Sequence, residues 1–146
     1  MTTRILAKPV PESRRLAALR AAFRSPLIAS LVETTAFNVL SRLSVSHYDF
    51  DKVYQGGYWE YVQLSNAGFF MYPTADTQYR LSCDGNGACE VLQARDAGIV
   101  ATLFSLSGTA IRYPNQEVLA ERYYQLLEYV DSLPARDSDA IKRLCD

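Results

Sequence analysis

The chain is poor in the residues that would commit it to a particular chemistry. Among 146 residues there are one histidine, three cysteines and one tryptophan, and fifteen Lys/Arg stand against sixteen Asp/Glu for a net charge of −1. A structural zinc site draws about four ligands from Cys and His, which His47, Cys83 and Cys89 do not supply, so no metal is expected. Near-neutrality excludes both the dense positive field of a strong phosphate binder and the dense negative field of a DNA mimic. Gly56-Gly57 precedes a strand-like segment instead of joining a strand to a helix, so phosphate-cradling motifs are missing and no cofactor is expected. The uncharged stretch 97–111 is too short for a membrane span, and residues 1–9 lack the apolar run of a secretory signal. A cytoplasmic chain with no membrane partner and with free thiols is the expectation.

What is present is the composition of an ordinary globular domain: 49% hydrophobic and 21% charged residues. Residues 1–12 carry Pro9 and Pro11 without periodicity and read as a poorly ordered, extended leader. From Ser13, an expected N-cap, Leu16, Leu19 and Phe23 recur at helical spacing, with Arg14, Arg20 and Arg24 off that stripe on a solvated face. Ser25-Pro26 places a cap before a proline at the first helical position, and the apolar period runs on to Leu43.

The middle of the chain changes period. Residues 58–64 alternate, 65–68 supply a turn, and 69–72 form a second strand ended by Pro73. Gln78 to Cys83 and Cys89 to Gln93 read as two more strands about the tight turn Asp84-Gly85-Asn86-Gly87, which places Cys83 opposite Cys89. That turn lacks the spacing and the closing glutamate of a calcium loop. Helical period returns after Asp96. A further helix is expected from a cap at Asn115, with Leu119, Tyr123, Leu126, Leu127 and Val130 as its stripe, and a last one over 138–144. The class is α+β, a three- to four-stranded antiparallel meander with helices before and after it.

Several site chemistries remain open on the residues alone. His47 lies near Asp49 and Asp51, and Ser65 or Cys83 would be the nucleophile of a small hydrolase; Asp49, Asp51 and Glu60 would be the carboxylates of a glycosidase. No local signal marks any of them as activated. Residues 54–72 hold four tyrosines, two phenylalanines and the tryptophan but no Lys or Arg. Such a sheet either stacks nucleic-acid bases, packs against helices, or anchors a protein partner; the missing cations argue against the first.

Three blocks carry a resemblance: Gly56-Gly57-Tyr58-Trp59-Glu60, then the ten residues from Leu64 to Pro73 (LSNAGFFMYP), then Ala97-Gly98-Ile99-Val100-Ala101-Thr102-Leu103-Phe104. In this order and spacing they are similar to the KlcA/ArdB family of plasmid-borne antirestriction proteins, with the match extending from Phe23 to about Val130. Ala67 departs from the glycine usual there, Phe70 from tyrosine and Tyr72 from alanine. The resemblance implies a single antirestriction-type domain over 13–146 and a non-enzymatic protein that inhibits DNA restriction by type I restriction-modification systems without inhibiting methylation, so that incoming mobile DNA survives. It implies the restriction complex or one of its subunits as partner. Low net charge disfavours DNA mimicry, and direct DNA binding is not expected. The contact residues expected are Tyr58, Trp59, Glu60, Ser65, Asn66 and Tyr72, with Gly56, Gly57, Gly68, Pro73 and Gly98 serving backbone geometry. The alternative is a nucleic-acid-binding accessory protein of a mobile element, using the sheet aromatics and the arginines of residues 14–24.

Overall fold

In the computed structural model, which describes residues 4–44 and 56–145, the elements follow the order β1 (Ala7–Pro9), a 3-10 turn (Glu12–Arg14), α1 (Arg15–Phe23), α2 (Pro26–Leu43), β2 (Trp59–Leu64) and β3 (Phe69–Pro73). They continue as β4 (Gln78–Cys83), β5 (Ala88–Gln93), α3 (Ala94–Arg112), α4 (Glu117–Asp131) and α5 (Ala135–Cys145). Ser25 caps α2 through its Oγ, which accepts from the Ile28 N–H at 3.3 Å, and Pro26 opens the helix where no N–H is needed. Ser13 caps nothing. It lies inside the 3-10 turn, and of the expected stripe on α1 only Leu19 and Phe23 are buried while Leu16 is 62% exposed.

The α+β class holds, with the strands divided differently from one continuous meander. Sheet order is β1-β2-β3, with Ala7 opposite Leu64 and Glu60 opposite Tyr72, and β4-β5 forms a separate hairpin. The break falls at 74–77, whose hydrogen bonds go elsewhere than to a tight turn. Thr74 donates both its N–H and its hydroxyl to Tyr58 O, at 3.0 and 2.9 Å, and the Asp76 N–H donates to Tyr79 Oη at 3.1 Å. The far edge of β4 instead meets Ser44, just past α2, through a bridge at Leu81.

The expected leader is extended but tied down. Leu6 N–H donates to Ser65 Oγ at 2.8 Å, Ser65 N–H donates to Leu6 O at 2.9 Å, and Val10 N–H donates to Tyr61 O at 2.8 Å. Pro9 is tolerated because β1 is an edge strand, where the missing N–H faces no partner.

The register sends Trp59, Tyr61, Phe69 and Met71 to one face of the larger sheet and Val62 and Phe70 to the other. Helices cover both. Trp59 meets Phe37 of α2 and Phe69 meets Phe23 of α1, while Phe70 stacks on Tyr129 of α4. Helix α3 runs through the centre, where Ser105 Oγ donates to Val32 O at 2.6 Å and Thr102 Oγ1 accepts from the Met71 N–H at 3.2 Å.

Three further expectations are corrected. Asn115 is upstream of the α4 cap position, which Gln116 occupies without a side-chain bond. The buried face of α4 is Val118, Leu119, Arg122, Leu126, Tyr129 and Val130, leaving Tyr123 and Leu127 only half-buried. Cys83 pairs with Ala88 and Cys89 with Ser82, so the two thiols are one register step apart and on opposite faces; both are free. The Asp84-to-Gly87 segment is the tight turn expected: Gly87 has φ +72°, Asn86 Oδ1 accepts from the Ala88 N–H, and its Nδ2 reaches the carbonyls of Arg143 and Leu144.

Candidate functional site

The six expected contact residues fall into separate groups because they lie at opposite ends of β2. Tyr58 and Ser65 are seven steps apart, about 23 Å along an extended chain. At the first end, Glu60 stands opposite Tyr72 in the register, and Tyr58 lies just before the strand.

This end is organised by Arg15. Val10 pairs with Tyr61 where β1 stops, and beyond that point Arg15 crosses the open edge of β2. Its Nη2 contacts Glu60 Oε2 at 2.8 Å, Nη1 donates to Tyr58 Oη, and Nε donates to Val10 O at 3.3 Å. The guanidinium carbon is 4.7 Å from the Tyr58 ring centroid and 5.6 Å from that of Tyr61. A planar cation with several donors suits this combined ion pair and ring contact, which a lysine would not reproduce. Tyr58 is 45% exposed and Glu60 half-buried, so this is the part of the group that a partner can touch. Tyr61 donates its hydroxyl to Glu33 Oε2 of α2, and burial pushes the Glu33 carboxyl above its ordinary value.

Trp59 is not part of that surface. It is 3% exposed, with its ring edge-on to Phe37 at 5.0 Å, so its side chain belongs to the core and is no interface anchor. The other sheet aromatics, Tyr61, Phe69 and Phe70, are buried too, and Tyr72 is half-buried between Phe70 and α3. Base stacking needs an exposed ring face, which these buried rings do not offer.

At the second end Ser65 and Asn66 hold the fold. Ser65 secures Leu6, as above. Asn66 Oδ1 accepts from the Gly68 N–H at 3.0 Å, and its Nδ2 donates to Gln125 O at 2.9 Å. Gln125 Oε1 accepts in turn from Arg122 Nη1 at 3.0 Å, and Arg122 Nε donates to Ala22 O at 2.8 Å. The β2-β3 turn, α4 and the end of α1 are thus one polar chain. Burial lowers the Arg122 pKa from its ordinary value, the neighbouring Arg24 adds to that, and Glu121 opposes it. Ala67, in the same turn, has φ +73°, the left-handed region that a glycine enters freely.

Arg15 and Arg122 are the organising residues that sequence reasoning passed over. Arg15, Leu19 and Phe23 share a face at four-residue spacing, and Arg122 lies three or four residues from Val118, Leu119 and Leu126. Either spacing marks an arginine directed at the core, where it must find acceptors.

Gly56 and Gly57 have φ of +101° and +123°, consistent with a backbone role, and Pro73 closes β3. Gly98 permits α3 to approach the main chain of Met71 and Tyr72. His47, Asp49 and Asp51 lie outside the described residues. Among the described residues no group of three or more His, Cys, Asp or Glu is placed to hold a metal ion, and no helix is long and apolar enough to cross a membrane.

Residues 52–146 match the family model described as antirestriction protein. An antirestriction protein KlcA of Escherichia coli is 36% identical over 133 residues, covering 86% of this chain and 84% of its own. A second Escherichia coli KlcA is 36% identical over 96 residues, 64% of this chain and 66% of its own. In three dimensions the fold matches, with a TM-score of 0.83, 32% identity and full coverage of both chains, a solved structure from work on KlcA and ArdB. Those proteins are reported to show a novel fold and antirestriction activity against type I DNA restriction systems in vivo but not in vitro.

Proposed function

The chain belongs to the antirestriction protein family, and from that premise we propose that it relieves restriction by type I restriction-modification systems through protein contacts, without catalysis and without imitating DNA. The observation that carries the reading is the match, over the whole of both chains, to a structure whose proteins act against type I systems. Charge supports the non-mimetic part: fifteen cations offset sixteen carboxylates, so the chain lacks the strong net negative charge with which a mimic competes for a DNA-binding groove.

The partner in this reading is the type I restriction complex or one of its subunits. Contact with it hinders translocation or cleavage and leaves methylation intact, so that incoming mobile DNA survives. Activity in vivo but not in vitro, as reported for the structural relatives, fits a mechanism that needs a cellular component besides enzyme and DNA. On this chain the contact residue best placed is Tyr58, an exposed ring backed by the Arg15 guanidinium, with Glu60 and Tyr72 beside it. Aromatic side chains held rigidly by neighbours are effective interface anchors.

The test is the plating of unmodified phage on cells that carry a type I system, with and without the protein, followed by assay of methylation in the emerging phage DNA. Relief with methylation retained is the expected result. Absence of relief across several type I systems, with soluble protein confirmed, overturns the proposal.

A further inference from the structure

Helix α1 overhangs the β1 edge of the larger sheet and leaves a groove of about 510 Å³. Lys8 and Gln63, directly opposite each other in the register, form one wall, and Arg14, Ala17 and Ala18 form the other. Pro9, Val10 and Pro11 complete it. Among the described residues its lining is apolar apart from one amide and two cations, with no carboxylate.

Lys8 and Arg14 are both exposed and neither has an ion pair among the described residues. The contrast with Arg15 is informative: that neighbour is engaged with Glu60, Tyr58 and Val10, whereas Arg14, one residue earlier, points its charge at the groove lip.

We infer that this groove is a docking site for a short acidic segment of a protein partner, with leucine-like side chains lying on the Pro9, Ala17 and Ala18 surface and carboxylates meeting Lys8 and Arg14. The inference rests on the reading that the chain works through protein contact, and it names the chemistry of that partner. Charge complementarity selects an acidic segment over a basic one. The apolar lining selects peptide over nucleic acid, because a phosphate backbone has no apolar side chains to bury against proline and alanine. Addition of the segment as a further strand is disfavoured, since Pro9 offers no N–H along the outer edge of β1. Recognition is by side chains.

The purified full chain is titrated into a short fluorescein-labelled peptide of alternating glutamate and leucine, and into one with lysine in place of glutamate, with anisotropy as the readout. Wild type binds the glutamate peptide and ignores the lysine peptide. The Lys8→Glu/Arg14→Glu pair weakens the first by about tenfold and gains affinity for the second. Ala17→Phe, which fills the groove and keeps both charges, weakens the glutamate peptide as well, while Arg42→Glu, an exposed cation on α2, leaves it unchanged. Unaltered thermal midpoints establish that each variant is folded. Binding that falls equally in Arg42→Glu, or that survives Ala17→Phe and the charge-reversal pair, overturns the site. Binding of a DNA duplex through Lys8 and Arg14 in place of the peptide overturns the choice of partner. In the phage assay, wild type that fails to relieve restriction defeats the functional reading, whereas wild type and Lys8→Glu/Arg14→Glu relieving equally defeats the groove alone.

Discussion

Replacing Gly98 by alanine adds one methyl group where α3 crosses β3. A Cβ at that position would stand 2.2 Å from Tyr72 Cβ, 2.3 Å from Met71 O and 2.4 Å from Tyr72 Cα, atoms that no rotamer change can move aside. Restoring ordinary contact near 3.5 Å requires helix and strand to separate by roughly 1 Å, a gap that already forfeits about a quarter to a half of each dispersion well along the interface. It also strains the bond from the Met71 N–H to Thr102 Oγ1, 3.2 Å in the native packing. Overpacking costs about 1–3 kcal/mol and a weakened buried hydrogen bond about 1 kcal/mol, while alanine returns about 1 kcal/mol of helix propensity. Because the clash is with main-chain atoms the upper end applies, and Gly98→Ala is expected to lose about 3 kcal/mol, a fall in Tm of roughly 10 °C. Gly108 lies in the same helix, and among the described residues nothing comes within 4 Å of where its Cβ would stand, so Gly108→Ala keeps the propensity gain, up to about 1 kcal/mol, without the clash. Urea and thermal unfolding followed by circular dichroism compare the two. If Gly98→Ala matches wild type, or moves in the same direction as Gly108→Ala, the close approach of α3 to β3 is not what stabilises this layer.

Burial raises the Glu33 carboxyl above its ordinary 4.5, so the folded state keeps that proton to a higher pH than the unfolded chain does. The associated stabilisation is complete below 4.5 and is lost as pH rises through the raised value; Glu33→Gln removes this dependence and gains on wild type between acidic and neutral pH, as urea midpoints across that range will show. Trp59→Ala empties a core position and is expected to lose about 3–5 kcal/mol, whereas Tyr58→Ala stays within about 1 kcal/mol. Restriction relief lost in Tyr58→Ala at unchanged Tm identifies a contact residue, and full relief in that variant removes it. Ala67→Gly relieves a left-handed alanine and is expected to gain up to about 1 kcal/mol in thermal unfolding, partly offset by the entropy of glycine in the unfolded chain.

Elements defined by local chemistry were legible. Ser25-Pro26 starts α2 because cap and proline act within one turn, and residues 65–68 join β2 to β3 because turn residues follow an alternating run. The separation of β3 from β4 was not, since it depends on Thr74 bonding back to Tyr58, sixteen residues earlier. Strand β1 escaped notice because three residues with a proline carry no period, and its partners lie beyond α2. At the site, the aromatic run gave no means of separating Trp59 from Tyr58. In β2 buried residues lie on both faces, Trp59 and Tyr61 on one and Val62 and Leu64 on the other, so alternation stops marking inside and outside. Arg15 and Arg122 fell on apolar faces, where their acceptors, Val10, Glu60 and Ala22, are set by tertiary contact.

The bond from Arg122 to Ala22 joins residues one hundred positions apart, and that from Leu6 to Ser65 spans fifty-nine. During synthesis at about 5–20 residues per second, Ala22 emerges roughly 5–20 s before the guanidinium that will hold it. Until β2 and β3 follow, Phe23 lacks Phe69 to lie against and β1 has no strand to join, and until α4 follows the Ala22 carbonyl lacks its donor. The first helix made meets α2 early but receives its last polar tie only from α4, which leaves the end of α1 open to chaperones and proteases until α4 has been translated. This exposure follows from the route of the chain, and no improvement of a single contact would shorten it.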